Sequence, residues 1–69
     1  MNTLKINGET KQFDGELPET LSQLLATLKV DEATVVAEID GTIIERAKFA
    51  ATKLCESQKI ELIRFVGGG

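Results

Sequence analysis

The feature that most restricts the fold is a leucine stripe of helical period in the middle of the chain. Its members recur at spacings of three and four residues: Leu21, Leu24, Leu25 and Leu28. Side chains at this spacing lie on one face of an α-helix, so the segment needs an apolar surface to pack against. Thr20 is a suitable N-cap and Gln23 completes a capping box, which predicts where the helix begins. We expect the helix to end near Lys29.

The chain before this helix has the pattern of a β-hairpin. Thr3–Ile6 alternates apolar and polar residues, as a half-buried strand does. Asn7 and Gly8 both tolerate positive φ, which a type I′ turn requires. In the returning strand, Glu9–Phe13, only Phe13 is apolar on the core side. We therefore predict a short edge strand, whose charges also disfavour pairing with other chains.

A second hairpin is predicted after the helix. Val35–Ile39 is rich in β-prone residues, Asp40-Gly41 is a turn of the same kind, and Thr42–Ile44 returns. With a last strand near the C-terminus, the element order becomes strand, strand, helix, strand, strand, strand. This order predicts an α+β roll, in which one helix packs on one face of a sheet of four to five strands.

The last third of the chain combines an ambiguous segment with that final strand. We expect Phe49 and Leu54 to fill the core from a loop or a short helical turn. The strand Lys59–Val66 is apolar on both faces. Because only one helix is predicted to cover the sheet, one sheet face should stay open. Ile63 and Phe65 on that face then suggest a surface meant for a partner.

Composition excludes several classes of function. A chain of 69 residues forms one domain with little room for a deep catalytic pocket. There is no histidine, one cysteine and no Gly-rich phosphate loop, which argues against a zinc site, an imidazole base and a nucleotide site. A net charge of −3 without a basic cluster disfavours nucleic-acid binding. No signal peptide or membrane-length apolar run is seen, so we expect a cytoplasmic protein.

Three glycines end the chain directly after the predicted last strand: Gly67, Gly68 and Gly69. Glycine loses the most entropy when it is ordered, so we predict a domain over residues 1–66 and a flexible tail over 67–69. A tail without side chains fits a narrow channel, and its carboxylate is open to activation by another enzyme. The alternative interpretation is a frayed terminus or a linker remnant, since a terminal glycine run is a weak motif.

Over essentially its whole length the chain resembles the ThiS family, the sulfur carriers of thiamin biosynthesis. The matching segments are Ile6–Glu9, Leu21–Leu28, Val35–Ile44 and, most specifically, the strand and glycine end Ile60–Gly69. The chain departs from the family pattern at three places outside the tail. Ser57-Gln58 stands where Gly-Asp is common, Glu45 where proline is common, and Phe49 where tryptophan is common.

The resemblance implies a ubiquitin-like β-grasp fold and the role of a protein co-substrate rather than an enzyme, with no cofactor bound by the chain itself. A ThiF-type adenylating enzyme would use ATP and Mg²⁺ to adenylate the carboxylate of Gly69, with Gly68 beside it. Sulfur from a donor such as a cysteine desulfurase would then replace AMP. Thiazole synthase would take the sulfur from the resulting thiocarboxylate.

Other residues are candidates for partner binding. Ile63, Phe65 and Ile43 are predicted to form a docking patch for the adenylating enzyme, unless loops cover them. Arg64 pairs with an acidic partner or is simply a solvated charge. Cys55 is a possible sulfur acceptor, but a partly buried thiol acting as a small hydrophobe is the favoured interpretation.

Three alternatives share the predicted fold. The first is the small subunit of molybdopterin synthase, which is usually a longer chain. The second is a carrier for another sulfur pathway or a ubiquitin-like modifier, which would be found joined to lysines of other proteins. The third is a β-grasp interaction domain with an inert tail, whose partner binding would survive deletion of Gly68 and Gly69.

Overall fold

The computed structural model describes residues 2–64, which form five strands, one α-helix and two 3₁₀-helices. The strands are β1 (Thr3–Ile6), β2 (Glu9–Gln12), β3 (Val35–Ile39), β4 (Thr42–Ile44) and β5 (Lys59–Arg64). The helix α1 is Leu21–Thr27, and the 3₁₀-helices are Glu32–Thr34 and Arg46–Ala51. The predicted order of strands and helix is confirmed.

The strands form one mixed sheet in the order β2-β1-β5-β3-β4. β1 and β5 pair in parallel, with Ile6 next to Ile60, and the other three pairs are antiparallel. The last strand of the chain is therefore the central strand of the sheet. This is the ubiquitin-like β-grasp arrangement of the α+β class, as predicted.

Both hairpin turns have the predicted geometry. Asn7 and Gly8 have φ values of 51° and 83°, and Asp40 and Gly41 have 49° and 87°. Positive φ at both central residues is the signature of a type I′ turn, which matches the twist of the flanking strands. The first turn sets Glu9 opposite Ile6, and β2 is exposed along its whole length at the sheet edge. The prediction of a short, charged edge strand is confirmed.

The start of α1 follows a variant of the predicted capping box. The Gln23 N–H donates to Thr20 Oγ1 at 3.2 Å, which confirms the N-cap. The Gln23 Oε1 atom accepts a hydrogen bond from the Glu19 N–H at 2.9 Å, one residue before the capping-box donor. At the other end the last helical residue is Thr27, and Lys29 has a φ of 59°. A left-handed residue here stops the helix, close to the predicted end.

The core lies between α1 and one face of the sheet. Nine apolar residues are buried there: Leu4, Leu21, Leu24, Leu25, Val35, Ala37, Ile39, Phe49 and Ile60. Phe49 enters from the 3₁₀-helix Arg46–Ala51, and Leu54 packs against the core from the following segment. Both predictions for the ambiguous segment are confirmed. Within residues 2–64, no helix combines the length and apolar character that crossing a bilayer demands.

The C-terminal end of the predicted last strand is only partly covered by the structure. β5 is described as far as Arg64. Phe65 and Val66, and the predicted boundary between a domain at 1–66 and a tail at 67–69, lie outside the described residues. That boundary stays a prediction.

Candidate functional site: the open sheet face and the end of β5

The strand that leads to the glycine tail is held by the two hairpin turns. On one side, the Leu62 N–H donates to Asn7 Oδ1 at 2.7 Å. On the other, the Lys59 N–H donates to Asp40 Oδ1 at 2.9 Å, and the Asp40 N–H donates to the Lys59 carbonyl at 2.8 Å. The two turns thus clamp the central strand between them.

The Asn7 contact extends the support of β5 beyond the end of β1. The paired residues of these parallel strands end at Ile6 and Ile60, and the last backbone hydrogen bond between them runs from the Asn7 N–H to the Ile60 carbonyl at 2.8 Å. The Asn7 side chain supplies the acceptor that a further residue of β1 would otherwise have supplied to Leu62. Sequence reasoning missed this role. The signal for it is a short Asx side chain at the first position of the turn, which readily bonds to nearby backbone groups.

The two faces of β5 have different environments. Ile60 is completely buried and Leu62 packs against the core, on the helix-covered side of the sheet. Glu61 and Ile63 lie on the opposite, open side, where Ile63 remains 53% exposed. The interpretation of a strand with one buried face and one open face is confirmed.

Ile43 and Ile63 are the large hydrophobic residues that the described part of the chain leaves exposed, and they share the open face. Ile43 is 65% exposed on β4. It is the Cα partner of Glu38, whereas Ile63 is the partner of Val36. The two isoleucines are therefore separated by β3 and become one patch only together with Val36. We call Ile43, Val36 and Ile63 the open-face patch.

Arg64 does not belong to the open-face patch. It is the Cα partner of the buried residue Val35, so it lies on the helix side of the sheet, and it is exposed. With Leu28 and Val30 it lines a groove of about 420 Å³ between the end of α1 and the end of β5. Phe65, Gly67, Gly68 and Gly69, the other predicted site residues, lie outside the described residues.

The expectation of a partly buried Cys55 is wrong, because the residue is exposed. Leu54, one position earlier, takes the place against the core. Cys55 then begins the turn before β5, where its N–H donates to Gln58 Oε1 at 2.8 Å and Ser57 has a φ of 68°. The turn directs the thiol away from the core.

Together, the parallel central pair, the α-helix packed on one sheet face within residues 2–64 and a central strand that leads to the C-terminal glycines define a ubiquitin-like protein of the β-grasp class. The comparisons with known proteins narrow this class. The model of the ThiS family matches residues 4–69. The chain belongs to the ThiS family.

Individual relatives support this membership. The sulfur carrier protein ThiS of Bacillus subtilis (strain 168) is 30% identical over 66 residues, which are 96% of this chain and 98% of that protein. A solved structure of the thiamine biosynthesis protein ThiS from Geobacter metallireducens has a TM-score of 0.82 and 35% identity, and the match covers 97% of this chain and 99% of that one.

A longer relative is a thiazole synthase of Paramagnetospirillum magneticum. It is 33% identical over 66 residues, which are 96% of this chain but only 20% of that protein. The chain thus spans one fifth of this relative's length. Taken together, the comparisons make the chain a sulfur carrier of thiamin biosynthesis, not a catalyst, and disfavour the molybdopterin synthase subunit and the domain with an inert tail.

Proposed function

We propose that the chain carries sulfur as a thiocarboxylate on its C-terminal residue, Gly69. The observation that supports this most directly is the extent of the family match, which runs from residue 4 to Gly69 and so includes the glycine end. The described strand β5 adds support, because the clamp formed by Asn7 and Asp40 holds the segment from which the tail continues.

The proposed chemistry begins with the activation of a carboxylate, which is a poor electrophile. A ThiF-type adenylating enzyme, with ATP and Mg²⁺, would join the Gly69 carboxylate to AMP and release pyrophosphate. A persulfide on the sulfur donor, such as a cysteine desulfurase, would attack the acyl carbon and expel AMP. A thiol reductant would then cleave the S–S bond, which leaves the thiocarboxylate on Gly69 and a disulfide as the oxidised product.

The folded domain is proposed to serve as a handle that positions the tail. Binding energy from a surface remote from the reacting atom can be used to orient that atom. The exposed residues Ile43 and Ile63, together with Phe65 two positions after Ile63 in the sequence, are the proposed docking patch for the adenylating enzyme. Arg64, on the other face, is proposed to contact an acidic group near the tail. We propose the cytoplasm as the place of action, because the adenylating step consumes ATP.

Thiazole synthase is the proposed acceptor of the sulfur. A thiazole synthase that contains a segment similar to nearly all of this chain supports that pairing, because parts of one polypeptide usually act in one process. In the proposed transfer, the thiocarboxylate sulfur becomes part of the thiazole ring.

The decisive experiment is the intact mass of the chain after incubation with ATP, Mg²⁺, a sulfur donor, a thiol and the cognate adenylating enzyme. We expect one oxygen to be replaced by sulfur, and fragmentation to place the sulfur on Gly69. A reaction without ATP and a chain lacking Gly68 and Gly69 are the controls, and neither should gain sulfur. A full-length chain whose mass does not change under these conditions would contradict the proposal.

A further inference from the structure

The backbone groups of the central strand β5 alternate between its two neighbours. The carbonyls of Gln58 and Ile60 accept hydrogen bonds from β1 and its turn, at 2.9 and 2.8 Å. The Lys59 carbonyl instead accepts from the turn that follows β3, at 2.8 Å. This alternation directs the Leu62 carbonyl and the Arg64 N–H towards the side of β1.

No strand within residues 2–64 occupies that side at the end of β5. The pairing with β1 ends at Ile60, and Asn7 Oδ1 accepts the next donor, the Leu62 N–H. The Leu62 carbonyl and the Arg64 N–H have no hydrogen-bond partner among the described residues. Unpaired backbone groups at a sheet edge can pair with an extended segment of another chain. We call residues 62–64, on this side, the free edge of β5.

A single residue of an added parallel strand would satisfy both unpaired groups. Its N–H would donate to the Leu62 carbonyl and its own carbonyl would accept from the Arg64 N–H, as in any parallel pair. Such a residue lies opposite Ile63, so its side chain would stand beside Ile63 on the open face. The added strand would therefore border the open-face patch.

The next residue of such a strand would point to the helix side of the sheet, because side chains alternate along a strand. The groove of about 420 Å³ lies there, and Leu28, Val30 and Leu62 give it an apolar lining. The free edge thus combines two backbone hydrogen bonds with space for one apolar side chain. Strand addition uses these two elements together, the first for affinity and the second for specificity.

The proposed reacting group lies within a short reach of the free edge. Gly69 is five residues after Arg64. Since an extended chain spans at most about 3.6 Å per residue, an enzyme that acts on the Gly69 carboxylate works within about 18 Å of Arg64. The adenylating enzyme is the partner whose proposed docking patch includes Ile63, the residue next to Arg64 in the same strand. Its contact surface can continue directly onto the free edge.

We propose that an extended segment of the adenylating enzyme pairs with the free edge of β5 as a parallel strand and inserts one apolar side chain into the adjoining groove. This inference rests on the proposed function and specifies how the same partner is held. The chain does not supply this strand from residues 65–69, because a parallel return needs a crossover of a dozen or more residues.

The test places proline at residue 64, because proline has no N–H and its ring obstructs an approaching strand. Proline is tolerated in a strand where the N–H faces away from the ladder, so Arg64→Pro should fold. Arg64→Ala, which removes the side chain but keeps the N–H, is the reference. Adenylation is followed as pyrophosphate release while the concentration of the full chain is varied. We expect the KM of Arg64→Pro to be about tenfold that of Arg64→Ala.

A matched control is Thr10→Pro, which places proline on the other free edge of the sheet, in β2. Glu9 closes the two-residue hairpin with Ile6, so the N–H of the next residue, Thr10, points away from β1. Thr10 is exposed, and β1 separates it from β5. We expect the KM of this variant to stay within about twofold of the wild-type value, since the proposed strand does not reach β2.

Amide hydrogen exchange tests the pairing directly. In the free chain, the Arg64 amide should exchange faster than the Ile63 amide, which lies in the ladder with β3. When the adenylating enzyme is added without ATP, exchange at Arg64 should slow at least about tenfold, while the Thr10 amide keeps its rate. An Arg64 amide that is already protected in the free chain, or that the enzyme does not protect, would overturn the inference.

The outcomes separate this inference from the proposed function. If the wild-type chain is not adenylated at all, both are overturned. If it is adenylated but Arg64→Pro has the KM of Arg64→Ala, only the strand pairing is overturned. The same holds if Arg64→Pro impairs only the transfer of sulfur to thiazole synthase. The urea midpoints of the two variants should agree, and a much lower midpoint for Arg64→Pro would show that the fold itself uses the Arg64 N–H, which also overturns the inference.

Discussion

The two faces of the sheet carry similar apolar residues, but these residues are buried on one face and exposed on the other. On the helix side, Leu4, Ala37 and Ile60 have no exposed surface, whereas Ile43 and Ile63 on the open side keep more than half of theirs. The covered face supplies the burial that stabilises a small domain, and the open face keeps apolar area available for another protein. Substitutions on the first face should therefore affect stability, and those on the second should affect binding.

The largest expected effect is on the covered face, at Phe49. Its side chain is almost completely buried and enters the core from a 3₁₀-helix. Phe49→Ala should lower the free energy of unfolding by about 3–5 kcal/mol. A domain of this size has only about 3–10 kcal/mol in total, so much of the variant should be unfolded at room temperature. Urea unfolding followed by circular dichroism measures the change, and a loss below about 1 kcal/mol would contradict this packing.

The next largest loss of stability is expected at Asn7, whose side chain is one of the two contacts that clamp β5. Asn7→Gly keeps the positive φ but removes the acceptor for the Leu62 N–H. We expect a loss of about 1 kcal/mol in unfolding free energy. Hydrogen exchange of the Leu62 amide should also become faster. Asn7→Asp retains an acceptor oxygen and is the control. If the Leu62 amide exchanges at the wild-type rate in the glycine variant, the proposed support of β5 is not real.

A similar or slightly smaller effect is expected at the start of α1. Thr20→Ala removes the acceptor for the Gln23 N–H and should cost about 1 kcal/mol. Thr20→Ser keeps the hydroxyl and should retain most of the stability. Thermal unfolding of both variants provides the comparison. Equal melting temperatures for the two would mean that the cap contributes nothing to stability.

The smallest effect on stability should come from the open face. Ile43→Thr/Ile63→Thr keeps β-branched side chains suited to strands but makes the open-face patch more polar. We expect less than about 0.5 kcal/mol of change for each exposed residue. The KM for the carrier in the adenylation assay should nevertheless rise several-fold. A stability loss as large as that of Phe49→Ala would show that the two faces do not differ in the way described.

Much of the fold follows from local patterns. Asn7-Gly8 and Asp40-Gly41 accept the positive φ that a type I′ turn requires, so the hairpins are encoded in a few neighbouring residues. The leucine spacing and Thr20 likewise specify α1 without reference to the rest of the chain. The exposure of Cys55 was not predictable in this way, because it depends on which residue of the turn before β5 reaches the core.

The candidate site was predicted less completely. The exposed position of Ile63 follows from its alternation with Ile60 and Leu62 along one strand. The free edge of β5 depends on where β1, a strand from the other end of the chain, stops pairing with it. The contact between Asn7 and Leu62 spans 55 residues. No pattern within a single segment contains either relationship.

The sequence by itself determined the elements of this protein: two tight hairpins, one amphipathic helix, a last strand with two apolar faces and a glycine end. Each of these depends on backbone preferences and side-chain periodicity, which act over a few residues. Only the tertiary structure decided that β5 lies at the centre of the sheet in parallel with β1, and that β1 stops short of the free edge of β5. Strand pairing is non-local, and the burial of the whole core under α1 selects one register among many.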